Sequence, residues 1–217
     1  MGLRDPGSGI SFFRLAPQGL SDEPALVQTL ELVARSELAL VEHPVPEPGP
    51  GDLRVAVRAC GICGSDLHGM DGSSGRRIPP VVMGHEASGV VDALGDGVTD
   101  WRPGERVTFD STVWCGECGY CREGRVNLCD SRQVIGVSCE EFHRNGAFAE
   151  FVVVPARIVH RLPEGVDFDE AAFAEPVGVA LHAVARAGDV AGKSVLVVGA
   201  GLIGLLVVQA LKRAGAG

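Results

Sequence analysis

The stretch LRVAVRA, residues 53–59, places Leu53, Val55, Val57 and Ala59 on one side of an extended chain and Arg54, Ala56 and Arg58 on the other. A period of two is the signature of a half-buried β-strand. The same reading extends outward to Ala87–Leu94, Arg106–Asp110 and Ala149–Val154, which are separated by Gly, Pro and Asp turns. Many short strands at close spacing predict a small barrel or sandwich. The 217-residue chain is long enough for one full domain and part of another. Residues 1–24, rich in Gly and Pro without periodicity, read as a disordered extension, and 25–165 as the β domain.

After Pro163 the character changes. Asp167 and Asp169 offer helix caps, and Pro176 suits the first turn of a helix starting near Glu175. Val177, Ala180, Leu181 and Val184 then share one face. Lys193–Val198 reads as a buried strand and Leu202–Ala214 as a helix, so 166–217 forms linker helices and the start of an α/β domain. The nearly apolar run Val195–Leu211 splits into strand, glycine turn and helix, which argues against one membrane span.

A net charge of −9 leaves no basic stripe for nucleic acid or an anionic membrane. Met1–Leu20 has neither the basic start nor the apolar core of a secretory signal, so the expected compartment is the cytoplasm.

Four cysteines lie in CGECGYCREGRVNLC, residues 115–129, with the spacing C-x2-C-x2-C-x7-C. Cys115, Cys118, Cys121 and Cys129 could close tetrahedrally around a structural zinc ion. A disulfide framework would need an oxidising compartment and fits poorly with an odd total of seven cysteines. An iron–sulfur cluster is the other alternative, but the seven-residue gap and the lack of a proline after Cys129 depart from the ferredoxin pattern.

Three further segments carry chemistry: GICGSDLH (61–68) with Cys63, Ser65, Asp66 and His68; GHE (84–86) with His85 and Glu86; and AEPVGVALHA (174–183) with Glu175. One thiolate, one imidazole and one or two carboxylates make a ligand set for catalytic zinc with a position left open. Cys60 and Cys63 could also be read as a C-x-x-C redox pair, although no thioredoxin-like context surrounds them. Gly199-Ala200-Gly201-Leu202-Ile203-Gly204 is a G-x-G-x-x-G run between a predicted strand and a predicted helix, the context of the dinucleotide fingerprint. Gly199 would make the turn, Gly201 would let the pyrophosphate approach, and Gly204 would let helix and strand pack. Backbone amides at the helix start, around Leu202 and Ile203, would receive the anion.

In this order GICGSDLH, GHE, AEPVGVALHA and the G-x-G-x-x-G run resemble the zinc-dependent medium-chain dehydrogenase/reductase family of alcohol, sorbitol and threonine dehydrogenases. The resemblance implies a mainly β GroES-like barrel domain followed by the first β-α unit of an incomplete Rossmann domain. It implies two zinc sites, NAD or NADP, a small alcohol or polyol substrate, and a homo-oligomer when full length. Carried over, Cys63 and His85 are catalytic-zinc ligands, Glu86 is a ligand or close neighbour, and Glu175 replaces a cysteine ligand as in the polyol branch. Ser65 would take the alcohol's proton, His68 would pass it to solvent, Asp66 would orient the site, and the four-cysteine cluster would be the structural lobe. The acidic ribose partner about twenty positions beyond the fingerprint falls at or past Gly217. A second expectation therefore stands beside the dehydrogenase: a zinc-binding GroES-like module without a working cofactor domain.

Overall fold

The alternation over residues 53–59 becomes an interior strand of a five-stranded sheet. The computed structural model describes residues 26–217, so the expectation of a disordered extension over 1–24 lies outside the described residues. The chain divides into two units, the first reaching to Ala172 and the second running Phe173–Gly217. In the first, a hairpin of β1 (Leu26–Ala34) and β2 (Glu37–Pro44) leads into β3 (Asp52–Gly61) and the short helix α1 (Gly64–Met70). β4 (Val81–Val82), β5 (Glu86–Leu94) and β6 (Arg106–Phe109) come next. A lobe of β7 (Thr112–Val113), α2 (Gly119–Arg122) and β8 (Gln133–Val134) interrupts them. β9 (Val137–Ser138), β10 (His143–Arg144), β11 (Phe151–Pro155), β12 (Val159–Arg161) and α3 (Phe168–Ala172) close the unit.

The large sheet is antiparallel with the order β11-β3-β5-β6-β12, and β2-β1-β4 forms a second sheet. Glu150 ties the two: its N–H donates to the Gln28 carbonyl of β1 at 3.2 Å, and its carbonyl accepts the Val57 N–H of β3 at 2.9 Å. Leu53, Val55 and Ala59 enter the core as their alternation requires, alongside Leu32, Met83, Ile135, Phe148 and Val154. Val57 is only half-buried, because the register shifts between Val57 and Ala59. A bulge of this kind bends the strand and re-aims the residues beyond it. Here Ala59, Cys60 and Gly61 are all buried as the chain enters the candidate site.

Asp167 caps α3 as expected: its carboxylate accepts the Glu170 N–H at 2.7 Å, and the Glu170 carboxylate accepts the Asp167 N–H at 3.2 Å. Asp169 lies inside α3. The second unit holds α4 (Ala174–Ala187) and α5 (Leu202–Arg213). On α4, Pro176, Ala180 and Val184 are buried while Leu181 stays exposed. The strand expected over Lys193–Val198 is absent. That segment is unpaired, and Leu196 and Val198 are 87% and 91% exposed. Strand geometry is held by a neighbouring strand, and among the described residues this segment joins no sheet, although its Lys193 carbonyl accepts the Gly217 N–H at 3.0 Å. Among these residues, no helix is long and apolar enough to cross a membrane.

Candidate metal centres

Sheet pairing, rather than nearness in sequence, assembles the first centre. Antiparallel β3 and β5 set Gly61 directly opposite Glu86, so the residues after one strand and before the other meet at one end of the sheet. Cys63 is the N-cap of α1, Glu86 opens β5, and His85 immediately precedes it. The Cys63 sulfur, a His85 ring nitrogen and a Glu86 carboxylate oxygen lie within 4.8 Å of one another, with His85 and Glu86 buried. A thiolate, an imidazole and a carboxylate at this spacing fit a zinc ion that keeps a fourth position open. Gly61 makes the room: a Cβ there would stand 2.5 Å from Glu86 Oε2. Gly61→Ala should therefore displace the carboxylate without deleting a donor and weaken zinc binding at this cluster about tenfold. A zinc titration of the variant checks this, and native affinity would refute it.

Asp66, on the buried face of α1, ties the cluster together. Its Oδ2 accepts the Cys63 N–H at 3.1 Å, and its Oδ1 lies 3.5 Å from His85 Nδ1. Burial pulls the His85 imidazole down in pKa, but Asp66 and Cys63 outweigh burial and raise it to about 10. Burial likewise pushes Asp66 up, and His85 and Arg77 outweigh it, so its carboxyl is lowered. A cation entering here would displace the His85 proton. Ser65 and His68 lie one turn apart on the exposed face of α1, with Ser65 Oγ 3.5 Å from His85 Nε2. Cys60 belongs to the core, where burial, Asp66 and Glu86 push its thiol well up. Cys60 and Cys63 form no disulfide.

The second centre is closed. The sulfurs of Cys115, Cys118, Cys121 and Cys129 all lie within 4.8 Å of one another, with Cys115 and Cys121 at 4.0 Å. A tetrahedron with zinc–sulfur bonds of about 2.3 Å has edges of about 3.8 Å, so the four donors suit zinc. None of the seven cysteines is in a disulfide. The N–H groups of Glu117 and Cys118 donate to Cys115 Sγ at 3.5 and 3.4 Å and bring its thiol down to about 7.

The remaining candidates belong to the second unit. Glu175 is half-buried in the first turn of α4. Gly201 is the N-cap of α5, and Leu202 and Ile203 are its first, exposed residues. Gly204 backs onto the Gly199 carbonyl, where a Cβ would approach to 2.0 Å. That tight packing and the free amides of the first turn are what a dinucleotide fingerprint uses. Sequence reasoning missed Arg77, whose side chain is buried against Asp66. A charged residue in a Gly- and Ser-rich loop carries no local signal of burial.

Comparison with known proteins places these centres in context. Residues 49–164 match the family model described as the alcohol dehydrogenase GroES-like domain. An L-threonine 3-dehydrogenase of Anaeromyxobacter sp. (strain Fw109-5) is 45% identical over 178 residues, covering 81% of this chain and 50% of that protein. A sorbitol dehydrogenase of Halalkalibacterium halodurans is 39% identical, covering 88% of this chain and 54% of its own. A crystal structure from Sinorhizobium meliloti 1021, described as a zinc-binding dehydrogenase bound to NADP, superposes with a TM-score of 0.81 at 42% identity. It covers 88% of this chain and 54% of that one. The chain spans about half the length of the curated relatives it matches.

Proposed function

The chain belongs to the alcohol dehydrogenase family with a GroES-like domain, the zinc-dependent medium-chain dehydrogenase/reductases, and on that footing we propose that it serves an NAD(P)-dependent oxidoreductase acting on a small alcohol or polyol. One observation carries the reading: a thiol, an imidazole and a carboxylate converge within 4.8 Å at Cys63, His85 and Glu86, separate from a closed four-sulfur cluster. A three-donor site with an open position is the catalytic zinc pattern, and a four-thiolate site is the structural one.

Cys63, His85 and Glu86 hold the first ion and leave its fourth position open. Cys115, Cys118, Cys121 and Cys129 hold the second. When bound, zinc supplies Lewis acidity that lowers an alcohol's pKa, and the nicotinamide accepts the hydride. The chain's own residues handle the proton. Ser65, beside His85, accepts it from the alcohol, and His68, one helical turn on and exposed, passes it to solvent. Asp66 orients the pair of ligands on either side of it. Gly199, Gly201, Leu202, Ile203 and Gly204 form the turn and helix start that meet the cofactor's pyrophosphate. The threonine and sorbitol dehydrogenases among the relatives support a hydroxylated small molecule as substrate. The cytoplasm and a homo-oligomer complete the proposal.

Metal analysis tests it. The purified chain should carry two zinc ions, one released quickly by a mild chelator and one retained. A single tightly held ion per chain would overturn the catalytic reading and favour a structural zinc module.

A further inference from the structure

We infer that Arg77 is a positioning residue for the open cluster: its guanidinium locks the Asp66 carboxylate that holds the Cys63 backbone and faces the His85 ring. The inference rests on reading Cys63, His85 and Glu86 as metal ligands.

Arg77 sits in the loop between α1 and β4, and the rest of that loop behaves as a surface segment. Asp71 to Arg76 are all exposed. Arg77 alone turns inward, with its side chain 5% exposed against an Asp66 side chain 2% exposed. Its Nη2 donates to Asp66 Oδ1 at 3.3 Å, and its Nη1 donates to the Arg76 carbonyl at 3.1 Å. The backbone is pinned as well. Arg77 bridges to Ser138, and the Ile78 N–H donates to the Ser138 carbonyl at 2.8 Å. The helix is shaped to admit the side chain: at Gly69 a Cβ would meet Arg77 Cγ at 2.2 Å.

The division of labour on Asp66 is what gives Arg77 its role. Oδ2 is committed to the Cys63 N–H, while Oδ1 faces both Arg77 Nη2 and His85 Nδ1. One carboxylate thus fixes the entry of α1, which carries Cys63, and the plane facing the His85 ring. A buried carboxylate with one weak partner would turn to find others, and a buried ion pair holds its members only while both remain. Arg77 pins the shared oxygen. Without it, Asp66 can rotate towards His85 or away from Cys63, and either movement shifts a ligand. Partners standing behind metal ligands act in this way, and losing one costs about 10–100-fold in metal affinity.

The test uses the full chain with Zn2+ and Co2+ as probes. Arg77→Gln should weaken Zn2+ at the open cluster about 10–100-fold and leave the four-cysteine cluster at native affinity. The visible absorption of Co2+ in the open cluster should shift, which a purely structural residue would not cause. Arg77→Lys keeps the charge but not the planar fork. It should fold and still show the spectral shift, and it decides the question alone if Arg77→Gln does not fold. Native affinity with an unchanged Co2+ spectrum in a folded variant overturns the inference, and so does an equal loss at both clusters. A wild-type chain that takes no second ion overturns the metal reading itself and this inference with it. A second ion that is lost in Cys63→Ser but kept in both Arg77 variants overturns this inference alone.

Discussion

Replacing Cys129 with serine is expected to empty the four-cysteine cluster and loosen its lobe while the rest of the first unit stays folded. The lobe has little else to hold it. Its strands β7 and β8 are two residues each, α2 is four residues with none buried, and only Val113 and Cys129 within it are buried apolar side chains. Helices and ribbons this short do not persist without outside support. Cys129 is the buried donor of the set, and its sulfur accepts the Cys115 N–H at 3.3 Å, joining the two ends of the motif. Because metal binding and local folding are coupled, zinc affinity at this cluster should fall at least about a hundredfold. Limited proteolysis should then cut between residues 115 and 132. Cleavage should stop at Trp114, whose carbonyl accepts two hydrogen bonds from Arg157 at 3.2 and 2.7 Å and whose ring lies 5.1 Å under that guanidinium. The far-ultraviolet circular dichroism of the sheets should be retained. Unchanged zinc content and protease resistance would refute the prediction.

The second large effect separates metal binding from folding. Cys63→Ser should remove the exchangeable zinc, with affinity falling about a hundredfold as one of three protein donors is lost. Thermal stability should hardly move. Cys63 is only half-buried, it occupies the N-cap of α1, and serine is a preferred residue there. Any turnover of the full enzyme should disappear with the ion. Retention of the second zinc at native affinity, or unfolding of the variant, would count against this account.

The two centres differ in how far the chain alone reveals them. The closed cluster was legible because its four donors lie within fifteen residues and the spacing is itself a wrap around an ion. Cys63, His85 and Glu86 are scattered, so their donor chemistry suggested a ligand set without showing that the three meet. Family resemblance singled them out, and the β3–β5 ladder is what brings them together. Arg77 was missed because burial of a lone charge depends on the space above Gly69, which no local pattern encodes. The β1–β2 hairpin was also missed. Its turn runs through Ser36 at a φ of 62°, without the Asn-Gly or Asp-Gly pair that marks a tight hairpin. The strand expected over Lys193–Val198 failed for the opposite reason: its β-branched, apolar composition is a true local signal, but a strand is a property of two segments.

The pairing of Gly61 with Glu86 has a mechanical meaning. It makes the sheet a jig on which the ligands are clamped, and of the chain between them it leaves only the exposed stretch from Asp71 to Arg76 as slack. Residues could be inserted among the exposed positions from Asp71 to Arg76 at a closure cost that rises only slowly with loop length. The clamp would keep its dimensions throughout, so loop length and ligand spacing can vary independently in this fold.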